Sequence, residues 1–342
     1  ADQSTIGLLK SLYRLAQDRP ILFLNVFRPG YEETGERIRE SIRDRYEKYQ
    51  TEIVLDPLDE QQSEILIRQL LRSAILPSGI TSQIKQKVEG NPFFLEEVIR
   101  SMIEEGVIVQ EGKQVTFTKR TVSLFIPESI QELLITRINK LEEDVQQLIR
   151  LAAVIGRQFF DKVLREVAGD RLDADGILGQ LMQIQMIRKR IRLGEEEYLF
   201  KHALIQQAVY ESLLPDTRKE MHLKVAESIE KVFPERIQEF YGVLAYHYSQ
   251  AEAMETAENY LILAGEKALR SSASSEAIHY YKEALAIYQE KYGSSADQMK
   301  IATLNKNIGI AFYNLGYLIE AAEFLEKALS YYGKRIPNNL LM

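Results

Sequence analysis

Residues 307–329 read NIGIAFYNLGYLIEAAEFLEKAL, and the small residues in that stretch decide the fold. Gly309, Ala321 and Ala328 are small enough to let two helices cross closely, while Phe312 and Leu325 fill the gaps beside them. The alternation recurs upstream as Ala257, Tyr260 and Ala264, then as Ala277, Tyr281 and Ala284. Small residues at crossings with aromatics between them are the pattern of stacked helical hairpins. Residues 216–342 are therefore expected to form a helical array.

The fullest copy resembles the tetratricopeptide repeat at Gly309, Phe312, Gly316, Ala321 and Ala328. Ala277 and Ala321 stand 44 positions apart, more than the usual repeat of about 34 residues, so longer helices are expected. The resemblance implies a protein or peptide partner, with Tyr246, Tyr248, Tyr280, Tyr281, Tyr313 and Tyr317 as candidate contacts. Such tyrosines also fill helix cores. The ending NNLLM offers no polar capping helix, so further repeats are expected downstream.

Composition narrows the function classes. The chain has 342 residues, 45% of them hydrophobic and 27% charged, as in an ordinary globular protein of several domains. Without a bilayer-length apolar run, no membrane span is expected. No cysteine is present, so disulfides and thiolate metal sites are excluded. The start ADQSTIGLLK lacks the basic and apolar regions of a signal peptide, and cytoplasm is the expected compartment. A net charge of −7 gives no general affinity for nucleic acid.

Toward the N-terminus the pattern changes. Leu8, Leu9, Leu12 and Leu15 mark a helix, and the continuous apolar run ILFLNVF at 21–27 reads as a buried parallel strand. Ile38, Ile42 and Tyr46 stripe a second helix, followed by a short strand EIVLDPL. Two strands are too few for an open sheet, so missing strands are expected upstream. From Asp59 the chain turns helical: Asp59 to Gln62 form an acidic cap, and Ile65, Leu66, Leu70 and Leu71 the buried stripe. Helices follow near 80–89 and 92–105, then a hairpin turning at Glu111-Gly112. Pro127 is expected to open a helix to Lys140, with others at 142–155, 160–168 and 172–186 before the ribbon IRKRIRLGEEEYLF. Helices followed by a two-stranded ribbon suggest a winged-helix domain.

In their order, three stretches carry a second resemblance: ILFLNVFRP at 21–29, GNPFFLEEV at 90–98 and FKHALIQQAVY at 200–210. Residues 1–215 resemble the signal-transduction P-loop ATPases with numerous domains, in particular the bacterial ATPase and tetratricopeptide regulators often fused to a cyclase, a Ser/Thr kinase or a DNA-binding domain. In that family Ala1-Asp2-Gln3-Ser4-Thr5 corresponds to the tail of the Walker B segment. The resemblance implies that Arg28 senses the γ-phosphate, that Gly90, Asn91 and Pro92 form the G-x-P motif with Pro92 on the adenine, and that His202 donates to the β-phosphate of ADP. The Asp that normally follows this histidine is Ala203, which removes its second anchor. No G-x-x-x-x-G-K-[ST] loop occurs in the chain. ATP or ADP with Mg²⁺ is thus a cofactor of a longer parent, expected to be an ATPase, and neither tight nucleotide binding nor phosphoryl transfer is expected of this chain alone. The upstream P-loop half is then an intramolecular partner.

Each of these residues also has an ordinary reading. Arg28 ends a strand, Asn91-Pro92 is a common helix start, and His202 fits a half-buried structural position. His222, His247 and His279 lie on separate helices, so no metal site is proposed. The run Arg188-Lys189-Arg190-Ile191-Arg192 invites a DNA-reading wing. Alternation offers another account: Ile187, Ile191 and Leu193 face inward, while the arginines face Glu195, Glu196 and Glu197 across the ribbon. The preceding helix DADGILGQLMQIQM is almost free of basic residues, which argues against a groove reader.

The expected fold is mainly α and multidomain. It comprises a P-loop α/β remnant at 1–57, a helical lid with a hairpin at 58–125, a winged helix at 126–215 and a tetratricopeptide-like α-solenoid at 216–342. The expected function is relay of nucleotide state, ADP closed and ATP open, to the repeat surface. A nucleotide-independent repeat scaffold and a transcription regulator with a DNA-reading winged helix are the alternatives.

Overall fold

In the computed structural model, residues 3–27, 35–71, 78–111, 114–117, 127–169, 172–192 and 194–333 are described. They are mainly α-helical. The chain divides into two units, one drawn from residues 1–52 and 222–342, the other from 53–221. No helix among the described residues is long and apolar enough to cross a membrane.

The N-terminal segment holds α1 (Gln3–Leu12), α2 (Leu15–Asp18) and α3 (Arg37–Tyr46). Ile6, Tyr13 and Ile38 form its small core, with Phe23 edge-on to Tyr13 at 5.1 Å. The two expected strands do not form. Residues 21–27 and 51–59 pair with no strand, and Leu22, Leu24 and Val26 are 91%, 83% and 87% exposed. A parallel strand exists only through its neighbours' hydrogen bonds, and the described residues offer it none.

The 53–221 unit opens with α4 (Glu60–Leu70), started by a reciprocal cap in which Asp59 Oδ1 accepts from Gln62 N at 2.7 Å and Gln62 Oε1 from Asp59 N at 3.0 Å. Next come α5 (Ser78–Val88), α6 (Pro92–Glu104) and an antiparallel hairpin, β1 (Ile108–Glu111) and β2 (Gln114–Phe117), with Glu111 opposite Gln114. α7 (Ile130–Asn139) begins later than expected, because Ser129 rather than Pro127 supplies the cap by accepting from Glu132 N. After it come α8 (Glu143–Ile155), β3 (Gln158–Phe160), α9 (Asp161–Ala168), α10 (Ala174–Gln183), β4 (Ile187–Arg192), β5 (Glu195–Phe200) and α11 (Ala203–Glu211). The expected two-stranded ribbon is a three-stranded antiparallel sheet in the order β3-β5-β4. Phe159 and Phe200 bury against each other within it, 5.9 Å apart. One core runs through this unit from Ile67 and Leu95 to Leu134, Leu148 and Val209, so the segments 58–125 and 126–215 share their hydrophobic interior.

Successive helices stack in the remaining part: α12 (Pro215–Val232), α13 (Tyr241–Gln250), α14 (Met254–Arg270), α15 (Ser274–Tyr292), α16 (Gln298–Asn314) and α17 (Leu318–Tyr331). The 44-residue spacing is accommodated by the length of α15, 19 residues, and α16, 17 residues. Ala245, Ala277, Ala284 and Ala311 are buried with Leu261, Tyr281 and Ile308. Glycine makes the closest approaches possible. A Cβ at Gly265 would stand 2.8 Å from the Tyr281 ring, and one at Gly309 would stand 2.7 Å from Leu325 Cγ.

Overpacking a filled crossing costs about 1–3 kcal/mol. Gly309→Val is accordingly expected to lower stability by about that much in urea unfolding. Gly179→Ala in α10, where no atom lies within 4 Å of the added carbon, should be neutral or stabilising by about 0.5–1 kcal/mol. Equal midpoints for the two variants would contradict this account of the crossings.

Candidate functional site

The GNP turn is built around a backbone approach. Gly90 sits at φ +73° and its carbonyl accepts from Leu58 N at 2.8 Å, so a side chain there would press into the Leu58 carbonyl oxygen. Asn91 is extended, and its Oδ1 accepts from Phe93 N at 3.0 Å and Phe94 N at 3.1 Å. Pro92 takes the first helical position, where a missing N–H costs nothing. All three residues thus have a local structural duty. Their common result is to set α6 with Phe93 projecting at its start.

Phe93 meets His202. The ring centroids lie 3.7 Å apart at 32°, which brings together two of the stretches singled out in the sequence. His202 occupies the cap position of α11 without capping it, and its Nε2 is buried with no hydrogen-bond partner among the described residues. Burial, then the Lys201 charge, holds this imidazole below its ordinary value, against the pull of Glu96. It is therefore neutral at pH 7, able to offer one ring nitrogen as donor or acceptor.

Polar side chains surround the stack. Lys201 Nζ donates to Glu96 Oε1 at 2.9 Å and to Gln185 Oε1 at 2.7 Å, and Arg100 Nη2 donates to the same two oxygens at 2.7 and 2.9 Å. Further along α6, Arg137 of α7 donates to Glu97 and, through Nε and Nη2, to both oxygens of Glu104 at 2.9 and 2.6 Å. Arg137 and Glu97 are buried. Burial pushes the Glu97 carboxyl up while Arg137 and Arg100 pull it back; Glu96 lies below the ordinary carboxylate range because bonding to Lys201 and Arg100 outweighs its burial. Sequence reading passed over these residues. The available signal was a pair of carboxylates inside the apolar run FFLEEVI.

The remaining candidates are scattered. Arg28 lies outside the described residues. Tyr248 and Tyr281 are core residues, Tyr248 stacked on Tyr260 at 5.6 Å, so neither presents a ring to a partner. Tyr280 is half-buried, while Tyr246, Tyr313 and Tyr317 are exposed, the last two with Leu318 and Ile319. On the β4–β5 hairpin, Lys189 pairs with Glu196 at 2.7 Å, and Arg190 and Arg192 pair with the buried Glu197. Ile191 is 74% exposed instead of facing inward, because β4 runs past the end of the core at that point; Leu193 lies outside the described residues. His222 and His247 are buried side by side, Nδ1 to Nδ1 2.8 Å, a meeting that no local spacing signalled, and His279 meets Glu283 one turn on. Among the described residues no group of His, Cys, Asp and Glu is arranged to hold a metal.

Gly90→Ala is expected to cost more than a surface substitution, because the left-handed backbone adds roughly 1–2 kcal/mol to the clash with Leu58. The check is thermal unfolding, with retention of the wild-type midpoint as the contrary result.

No family model matches the chain. An uncharacterized protein of Rhizobium meliloti (strain 1021) is 24% identical over 353 residues, an alignment covering 98% of this chain and 32% of that protein. The chain thus spans about a third of that relative's length. Among solved structures it is similar to the signal transduction ATPase with numerous domains carrying a tetratricopeptide repeat sensor from Pyrococcus horikoshii. The likeness has a TM-score of 0.40 and 13% identity, and covers 97% of this chain and 65% of that one. At that distance it has no bearing on the site.

Proposed function

We propose that this chain is the regulatory and partner-binding part of a signal-transduction ATPase, relaying nucleotide state to a helical-repeat interaction surface. The observation that carries the reading is the meeting of Phe93, the residue after Pro92, with His202, whose buried Nε2 has no partner among the described residues. An orphaned nitrogen on a neutral imidazole fits an anionic acceptor. When bound, ADP would supply a phosphate oxygen to that nitrogen in its protonated tautomer, with Pro92 beside the base. ATP or ADP and Mg²⁺ would be held chiefly by a phosphate-binding loop elsewhere in a longer cytoplasmic parent, and this chain would perform no phosphoryl transfer itself. In that parent the apolar segment 21–27 would find its strand neighbours, and Arg28 would act as the sensor.

The mechanism is a population shift: a ligand biases two arrangements only by its differential affinity for them. A hydrogen bond to a charged group contributes about 1.5–3 kcal/mol, within the range of a coupling free energy. The output surface would be the exposed Tyr246, Tyr313 and Tyr317 with Leu318 and Ile319, suited to a protein or peptide. A nucleotide-independent scaffold is the reading favoured by the self-completed cap at Asn91, which needs no ligand to satisfy it.

In the P-loop-bearing parent, His202→Ala is expected to weaken ADP retention about tenfold or more, 1.4 kcal/mol being a factor of ten, and to raise basal output. Unchanged retention and output would remove the nucleotide role and leave the scaffold. For the wing, ion pairing of Arg190 and Arg192 to Glu197 predicts that both can be changed to Glu without altering retention on a DNA column at low salt. A loss of retention would instead support direct DNA reading by the wing.

A further inference from the structure

Six charged side chains form a continuous series of alternating sign, and it ends beside the candidate site. Glu104 accepts hydrogen bonds from Nε and Nη2 of Arg137, and Arg137 Nη1 donates to the buried Glu97. Glu97 lies 3.7 Å from Arg100 Nε, Arg100 binds Glu96 at 2.7 Å, and Glu96 binds Lys201, the neighbour of His202, at 2.9 Å. Glu104, Glu97 and Glu96 belong to α6, Arg137 to α7, and Lys201 to the turn between β5 and α11. From Glu96 to Glu104 is a span of about 12 Å along the helix axis. A helix gripped at three heights from two other elements can neither slide nor roll without separating opposite charges, and separation inside the core leaves a carboxylate or guanidinium without a partner. Phe93 lies at the start of the same helix, one turn before Glu96 and Glu97.

We propose that Glu104, Arg137, Glu97, Arg100, Glu96 and Lys201 act together as an alternating-charge ladder that positions Phe93 against His202, which makes Arg137 a positioning residue for the candidate site although it does not touch that site. The inference rests on the reading of His202 as the polar group of the site. It adds that the alignment of this group is set by the protein's own charges, before any ligand arrives. Gln185 braces the last rung by accepting from both Arg100 and Lys201.

The test uses the chain as it is. With four histidines, imidazole NMR resonances can be assigned, His202 by its loss in His202→Gln, and followed through a pH titration. The charged groups acting on His202 are Lys201, Glu96, Arg100 and Arg157, and burial under Phe93 holds its midpoint low. Two variants attack the ladder far from the ring: Arg137→Met, and Glu104→Gln, a milder change at a partly exposed end that keeps the fold if the first does not. Leu148→Ala, a core cavity in α8, serves as a control for general loosening. The expected result is that either ladder variant raises the His202 midpoint toward about 6.5, with loss of the ring-current shift from Phe93, while Leu148→Ala leaves both unchanged. An unmoved His202 resonance in Glu104→Gln, or an equal movement in Leu148→Ala, overturns the proposal. No nucleotide is present in this measurement, so its outcome is separate from that of ADP retention in the parent.

Discussion

A guanidinium and a carboxylate buried side by side are a constraint on everything around them. Arg137 and Glu97 sit among the apolar side chains of the 53–221 unit, and neither can turn toward water without dismantling the contacts that bury it. Such a pair adds little net stability over well-packed apolar residues, yet loss of one partner typically costs about 3–5 kcal/mol. Its effect is registry. α6 has one permitted height and rotation against α7, and the Phe93 ring at its start therefore has one position. The GNP turn works to the same end from the other side, since Gly90 admits the Leu58 backbone and Asn91 closes the first turn of the helix.

A different constraint shapes the repeat helices. There the determining quantity is the distance between helix axes, set by Gly265, Gly309 and a series of buried alanines rather than by charge. Tyr281 and Tyr248 fill what the small residues leave open, and this removes them from any surface. Tyr313 and Tyr317 flank Gly316, where α16 gives way to α17, and are exposed because no helix among the described residues packs over that turn. Identical residue types thus serve as core or as surface according to helix face.

Legibility followed the range of the interactions. The caps of α4 and α6, the apolar stripe of α8 and the Ala-Tyr-Ala pattern of the repeats were readable because they act within a few turns of one helix. The candidate site was readable only in part: Pro92 and His202 were singled out, but Arg137, Arg100 and Lys201 were not, since their partners lie on other elements. The strands expected at 21–27 and 52–57 do not form among the described residues for the same reason. An apolar run is compatible with a buried strand, but only a neighbouring strand makes it one, and β3 was overlooked because three residues carry too little pattern to reveal pairing with β5.

The amino-acid sequence by itself determined that this chain is mainly α-helical, where most of its helices begin, and which small residues permit their stacking, because these are matters of local dihedral preference, capping and periodicity. Tertiary structure alone decided that Phe93 lies on His202, that Tyr281 is core while Tyr313 is surface, and that Lys189, Arg190 and Arg192 of β4 pair with Glu196 and Glu197. Contact, burial and ion pairing depend on the separation of groups in space. A linear pattern carries that information only when both partners fall within a turn or two of each other.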